Sequence, residues 1–224
     1  MQLHKTLMFS HLDFAELKAQ QTTNPDGNRH YTVRGKHYPS VTTILSRTNP
    51  SKDDGLRAWR ERVGHDVADH IMTTAREVGT AAHGYIEDHL NNIPVIPPKP
   101  LLPYAHFQNL RLLLDNIDNI RALEKPLFCS AGYAGTVDCV AEYEGVLSII
   151  DFKTMRTMKR DEWMTDYYCQ ASAYAMAWDE MYDETPTQTV ILCSAEDGSS
   201  KAVLHGSDEY IGQWDRRLTE FQKL

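Results

Sequence analysis

Two aspartates and a lysine carry the most suggestive chemistry in the chain. Asp138 closes the run Gly135-Thr136-Val137-Asp138, and Asp151 and Lys153 flank Phe152 in Ile149-Ile150-Asp151-Phe152-Lys153-Thr154. Residues i and i+2 of a strand leave the same face, so Asp151 and Lys153 share one. Charges at the end of the apolar run 146–150 are costly to bury unless they are paired or hold a metal. Hard divalent cations take carboxylate and carbonyl oxygens, so a metal would meet that need. The plainer account is a same-face ion pair, worth at most about 1 kcal/mol if exposed. His83 and Glu87 are spaced i, i+4 on a helix and share a face. On spacing alone, a solvated helical pair explains them. Gln170 and Tyr174 have the same spacing, which a helix face meeting a sheet also explains.

The elements that must position these residues follow from periodicity and turn chemistry. Residues 135–143 and 146–154 read as strands joined by the hairpin dipeptide Glu144-Gly145, with a strand at 125–130 before them. Residues 161–182 return to helix, and 188–194 with 201–205 form a hairpin around Asp197-Gly198. A helical region from Leu56 to about Asn91 carries His83. Gly64 and Gly79 predict interruptions in it, and Val78, Ala82, Tyr85, Ile86 and Leu90 mark its buried face. Residues 94–103 hold five of the ten prolines and predict a stiff connector. An amphipathic helix is expected over 106–119, and a terminal helix with Tyr210, Trp214, Leu218 and Phe221 on one face. Nearer the start, the sequence suggests a weak helix over 9–21, a turn at 24–27 and a small hairpin over 30–39. Ser40 fits the cap of a short helix, although the β-branched residues after it favour a strand. The order predicts a mixed sheet flanked by helices, an α/β (α+β) domain. One domain over 1–224 is expected: an N-terminal segment and hairpin to 55, a helical region over 56–120 and a core over 124–224.

Composition narrows the class. The 224 residues are 42 % hydrophobic and 24 % charged, which excludes collagen-like, disordered and disulfide-stapled chains. No apolar run approaches the roughly 18 residues of a membrane span. The first ten residues hold only a short apolar patch, so no secretory leader is expected. With 23 basic and 31 acidic residues the net charge is −8, which argues against holding duplex DNA by the overall field. Positive charge must then be local. Arg57, Arg60 and Arg62 flank Trp59, and Lys153, Arg156, Lys159 and Arg160 form a second cluster. Cations beside an aromatic suit a single strand; for the first cluster, an exposed helix face with Trp59 buried is an equal alternative. Cys129, Cys139, Cys169 and Cys193 include no C-x-x-C pair, so a zinc ribbon or iron–sulfur cluster is not expected. They read as reduced thiols in a cytoplasm-like compartment.

Taken as an ordered set, Gly-x-x-Asp, a turn, Asp-Phe-Lys-Thr and then Gln-x-x-x-Tyr resembles the PD-(D/E)XK nucleases. The upstream Gly79-Thr80-Ala81-Ala82-His83 resembles their RecB-like exonuclease branch. Tyr38-Pro39-Ser40-Val41-Thr42-Thr43-Ile44-Leu45 is similar to the opening of the mitochondrial genome maintenance exonucleases and their phage relatives. The resemblance spans roughly residues 30–182 and implies a restriction-endonuclease-like core. It implies His83, Asp138, Asp151 and the Phe152 carbonyl as ligands of Mg²⁺ or Mn²⁺, and Lys153 as the cation beside the scissile phosphate. It implies Gln170 and Tyr174 as residues that orient the site or touch the DNA backbone. Glu87 and Glu124 are carried as weaker, outlying acids. Arg57, Trp59, Arg60, Lys159 and Arg160 are candidate DNA contacts. The cysteine cluster of the iron–sulfur members is missing after the Gln-x-x-x-Tyr helix. The expected activity is a metal-dependent exonuclease on single-stranded DNA ends or flaps, monomeric and not membrane-bound. A bacterial or phage-infected cytoplasm would be its setting. An endonuclease of the same fold, or a non-catalytic nucleic-acid-binding module, are the alternatives. The helices over 56–91 could arch over the strand and make an end thread through.

Overall fold

The computed structural model describes residues 8–25, 27–96 and 100–224. The start of the N-terminal patch (residues 1–7), Asp26 of the turn, and Pro97, Pro98 and Lys99 of the connector lie outside the described residues. A five-stranded mixed sheet forms the centre, in the order β4 (Ile117–Cys129), β5 (Tyr133–Tyr143), β6 (Val146–Met155), β7 (Gln188–Ala195) and β8 (Ser200–Gly206). β4, β5 and β6 form an antiparallel meander, and β6 pairs β7 in parallel. A parallel pair needs a crossover, and α5 (Thr165–Tyr182) supplies it after one 3-10 turn at Asp161–Trp163.

Side chains alternate between the two faces of this sheet. Ile149, Ile191 and Cys193 meet α5, α1 (Val41–Arg47) and α6 (Ile211–Phe221) in one apolar cluster. Ile150, Phe152, Val190 and Leu192 meet α3 (His65–Leu90) and α4 (Leu101–Leu114) in the other. Asp151 and Lys153 share the parity of Ile149, so strand geometry turns them toward α5. A second, three-stranded antiparallel sheet joins β1 (Ala19–Thr23), β2 (Arg29–Val33) and β3 (Lys36–Pro39). It is attached to β5 by a bridge between Ser40 and Ala134. α2 (Pro50–Val63) precedes α3, and Gly64 separates the two at φ 91°.

The mixed, helix-flanked sheet, the hairpins and the Ser40 cap match the sequence reading: Ser40 Oγ accepts from Thr43 N at 3.0 Å. Four expectations are corrected. The stretch 9–21 is not a helix. It runs extended, bridges His11 to Ile120 and ends in β1, because backbone partners on β4 and β2 outweigh a weak helical pattern. Gly79 does not interrupt α3; a Cβ there would lie 3.3 Å from Thr154 Oγ1, so this glycine serves helix–strand approach. The helix expected over 106–119 instead spans Leu101–Leu114: it takes the last three residues of the expected connector into its first turn, where Pro103 needs no backbone partner, and it stops early because Ile117 to Asn119 join β4. β4 accordingly begins eight residues before the strand expected at 125, since Ile117 pairs with Tyr143. No helix among the described residues is long and apolar enough to cross a membrane.

Candidate active site

The antiparallel ladder between β5 and β6 ends at Cys139 and Ile150. Beyond it the strands part, and the Asp138 carboxylate takes the N–H of Phe152 at 2.9 Å in place of a ladder carbonyl. Asp138, Asp151 and Lys153 therefore stand together at the mouth of the hairpin. Asp151 is 1 % exposed and is held from two directions. Lys153 Nζ donates to its Oδ1 at 2.7 Å, and Gln170 Nε2 of α5 donates to the same oxygen at 3.2 Å. Oδ2 also lies 2.7 Å from Nζ, yet it is buried without a hydrogen bond of acceptable geometry. The pair expected from i, i+2 spacing is thus present, with Asp151 buried and Lys153 half-buried at the cleft.

Tyr174, one turn beyond Gln170, is buried with its ring against β5. A Cβ on Gly135 would lie 2.6 Å from that ring, so only glycine admits it. Tyr167 on α5 was not singled out by sequence reasoning. Its ring lies 5.0 Å from Lys153 Nζ and 4.7 Å from Lys159 Nζ, linking the two cations.

α3 brings His83 to the same mouth. Its Nε2 lies 2.9 Å from the Phe152 carbonyl and its Nδ1 3.3 Å from Glu124 Oε1, with Asp138 Oδ2 at 3.8 Å. The carbonyl and the carboxylate are both acceptors, so without metal this arrangement favours the protonated ring. Burial works against that charge, but the Glu124 hydrogen bond and Asp138 outweigh it and raise His83 to about 9. Burial also opposes the Lys153 ammonium, yet Asp151 and Asp138 hold it above its ordinary range. Burial pushes Asp151 up while Lys153 draws it back. Glu87 lines the same cleft but is not the partner of His83; burial, then Glu124 and Asp88, raise its carboxyl. The point where these oxygens converge asks for positive charge.

His83, Glu124 and Asp138 each bring a ligand atom within 4.8 Å of the other two. Glu124 is closer to the centre of the site than its place in the sequence suggested. It would oppose Asp138 in the β4–β5 register, and its φ of 48° is left-handed, a conformation that costs a non-glycine residue about 1 kcal/mol or more. No sequence signal reports that dihedral angle. The group His83, Glu124 and Asp138, with the Phe152 carbonyl beside it, is of the type a hard divalent cation takes, whereas Asp151, expected as a ligand, lies outside that group and is engaged by Lys153 and Gln170, with Oδ2 lacking a hydrogen bond.

The cleft has a volume of about 610 Å³, and Arg29, Thr42, Thr80 and Thr136 also line it. The three threonines lie within the motifs of the sequence but had no role assigned, and Arg29 lies outside them. Arg57, Trp59, Arg60, Lys159 and Arg160 do not line it. Arg57 pairs with Asp54 at 2.8 Å and Arg60 with Asp69 at 2.7 Å, while Trp59 is half-buried on α2. Arg160 stacks over Trp163 at 5.6 Å. All four cysteines are buried and free.

No family model matches the chain. Mitochondrial genome maintenance exonuclease 1 of Homo sapiens is 29 % identical over 199 residues, covering 82 % of this chain and 58 % of its own. The Mus musculus protein of the same name is 30 % identical over 200 residues with the same coverage. The chain therefore spans less than two thirds of the length of these relatives. A crystal structure from Eubacterium rectale, described as a candidate exonuclease, aligns with a TM-score of 0.45 and 15 % identity over 67 % of this chain and 65 % of its own. By sequence the chain is similar, over four fifths of its length, to the exonucleases of mitochondrial genome maintenance, the group its motifs resemble.

Proposed function

We propose that this chain is a single-domain, divalent-metal-dependent deoxyribonuclease of the PD-(D/E)XK type that degrades single-stranded DNA from an end. The observation that carries the reading is the convergence of His83, Glu124 and Asp138 beside the buried Asp151–Lys153 pair in one cleft. The named exonuclease relatives support it.

Asp138, Asp151, Glu124, the Phe152 carbonyl and His83, once it gives up the proton it holds in the metal-free site, are the residues that would hold Mg²⁺ or Mn²⁺. Such an ion, when bound, acts as a Lewis acid on the phosphate and lowers the pKa of water. The imidazole among the ligands favours Mn²⁺ over Mg²⁺ in supporting activity. Lys153 keeps its proton because Asp151 and Asp138 surround it, so it presents fixed positive charge where negative charge grows during phosphodiester cleavage. Asp151 fixes the position of that ammonium, and Gln170 fixes Asp151 from the other side. Tyr174 packs closely against Gly135 and lines the cleft one turn from Gln170. Lys159, near Lys153 through Tyr167, and Arg160, which stacks over Trp163, would follow the DNA backbone away from the cleft. Arg57, Trp59 and Arg60, with α2 and the exposed half of α3, would lie along a threaded strand. A monomer in a bacterial or phage-infected cytoplasm is the setting we propose, which four free thiols suit.

The test uses end-labelled linear single-stranded DNA and a closed single-stranded circle, with Mg²⁺, Mn²⁺ or EDTA. Metal-dependent loss of the linear strand alone is expected. Lys153→Ala should keep the fold and lose about 10²–10³-fold in rate. Cutting of the circle would make the protein an endonuclease. Retarded DNA without cleavage would make it a binding module.

A further inference from the structure

We propose that Arg29 is a phosphate-binding residue of the cleft and that the buried hydroxyls of Ser40 and Thr43 hold it in place. The inference rests on the nuclease reading above and adds a subsite to it.

Three cationic side chains line the cleft among the described residues: His83, Lys153 and Arg29. Lys153 is bound to Asp151, and His83 lies between Glu124 and the Phe152 carbonyl. Arg29 has no carboxylate partner among the described residues, and its side chain is exposed to the cleft. An unpaired guanidinium in the wall of the cleft that also holds Lys153 and the carboxylates is a place for an anion to bind. Its planar fork matches two phosphate oxygens.

The backbone of Arg29 is held more firmly than its exposure suggests. Its N–H donates to Thr43 Oγ1 at 2.9 Å, and the same hydroxyl donates to its carbonyl at 3.0 Å. Ser40 N donates to that carbonyl at 2.9 Å. Ser40 Oγ donates to Thr43 Oγ1 at 2.9 Å, completing the acceptor capacity of that hydroxyl. Ser40 and Thr43 are 2 % and 5 % exposed, so neither is placed to meet a ligand. Ser40 also bridges to Ala134, and Tyr31 Oη lies 2.9 Å from Thr136 Oγ1. Arg29 is thereby fixed to the strand that carries Asp138. This gives the Pro39-Ser40-Val41-Thr42-Thr43 segment a physical task that neither metal nor water chemistry requires. The ligand is a phosphate of the nucleic-acid strand, either within the backbone or at its end.

Fluorescence anisotropy of a labelled single strand of about 16 nucleotides, with Ca²⁺ and across a salt series, tests the idea. The strand is used with a 5′-phosphate and with a 5′-hydroxyl. Arg29→Ala should weaken binding by about tenfold and reduce the slope of log Kd against log salt by about 0.7, one phosphate contact. Arg29→Lys should restore the slope and only part of the affinity, because the fork is lost. Thr43→Val should weaken binding while the charge remains. Equal losses on both strands assign a backbone phosphate; a loss confined to the phosphorylated strand assigns the end. If the wild type binds and cleaves while Arg29→Ala keeps both affinity and slope, the Arg29 subsite is wrong and the nuclease reading stands. If the wild type neither binds nor cleaves, both are overturned.

Discussion

Gly135 shows how much one absent carbon decides. The Tyr174 ring occupies the space where its Cβ would be, at 2.6 Å. Tyr174 is buried, so it has little freedom to turn away. Gly135→Ala must push the ring or bend β5, and overpacking of this kind costs about 1–3 kcal/mol. The strain falls three residues from Asp138 and one helical turn from Gln170. Urea denaturation should show that loss, and turnover should fall with it. Wild-type stability and turnover in Gly135→Ala would mean that the ring has room to spare. Glu124 shows the same economy from the other direction. A left-handed carboxylate residue within a strand is retained against its conformational cost, and its side chain meets His83.

At the scale of elements, α3 carries both the site and a stability device. His89 lies between Phe9 and Phe107, with ring centroids 5.0 and 5.4 Å away, and its Nε2 is buried without a partner. Burial, then Arg111 of α4, pushes it down to about 4, while Asp115 draws it slightly back. Above pH ~6.5 folded and unfolded chains are both neutral here, so this residue gives no pH dependence. Below ~6.5 the unfolded chain takes up a proton that the folded chain refuses until about 4. Stability is therefore lost on acidification through that window, by about 1–2 kcal/mol once partial exposure is allowed for. Denaturation at pH 7.5 and 5.0 should show a smaller difference for His89→Gln than for the wild type; equal differences would remove His89 from the acid response. The sequence exposed the hairpin β5–β6 and helix α5 because strand alternation, Glu144-Gly145 and helical spacing are local signals. It misread residues 9–21 and Gly79 because their conformations are set by distant partners, Ile120 of β4 and Thr154 of β6. Asp138, Asp151, Lys153 and Gln170 were legible as a spaced set. Arg29 and the central position of Glu124 were not, since they depend on a sheet-to-strand attachment and a single dihedral angle.

For the whole molecule, charge is the governing quantity. A net charge of −8 is sharpened locally where Glu87, Glu124, Asp138 and Asp151 gather about one cleft. Such a cluster lowers the stability of the folded chain unless positive charge enters it. Lys153 answers part of that demand, and so does His83 while no metal is bound. On the proposed reading a divalent cation answers the rest, and it binds the folded chain far better than the unfolded one. Linkage then fixes the size of the effect: about 2.7 kcal/mol at a hundred times Kd. For a chain of this length that is a rise in Tm of roughly 5–10 °C. Mn²⁺ or Mg²⁺ should produce it, and NaCl of equal ionic strength should not, because screening does not replace coordination. Asp138→Asn keeps an acceptor for the Phe152 N–H, so its fold should persist while its melting temperature no longer responds to Mn²⁺. A wild-type melting temperature indifferent to both metals would remove the cation from the mechanism and leave the acidic cleft without a counter-charge.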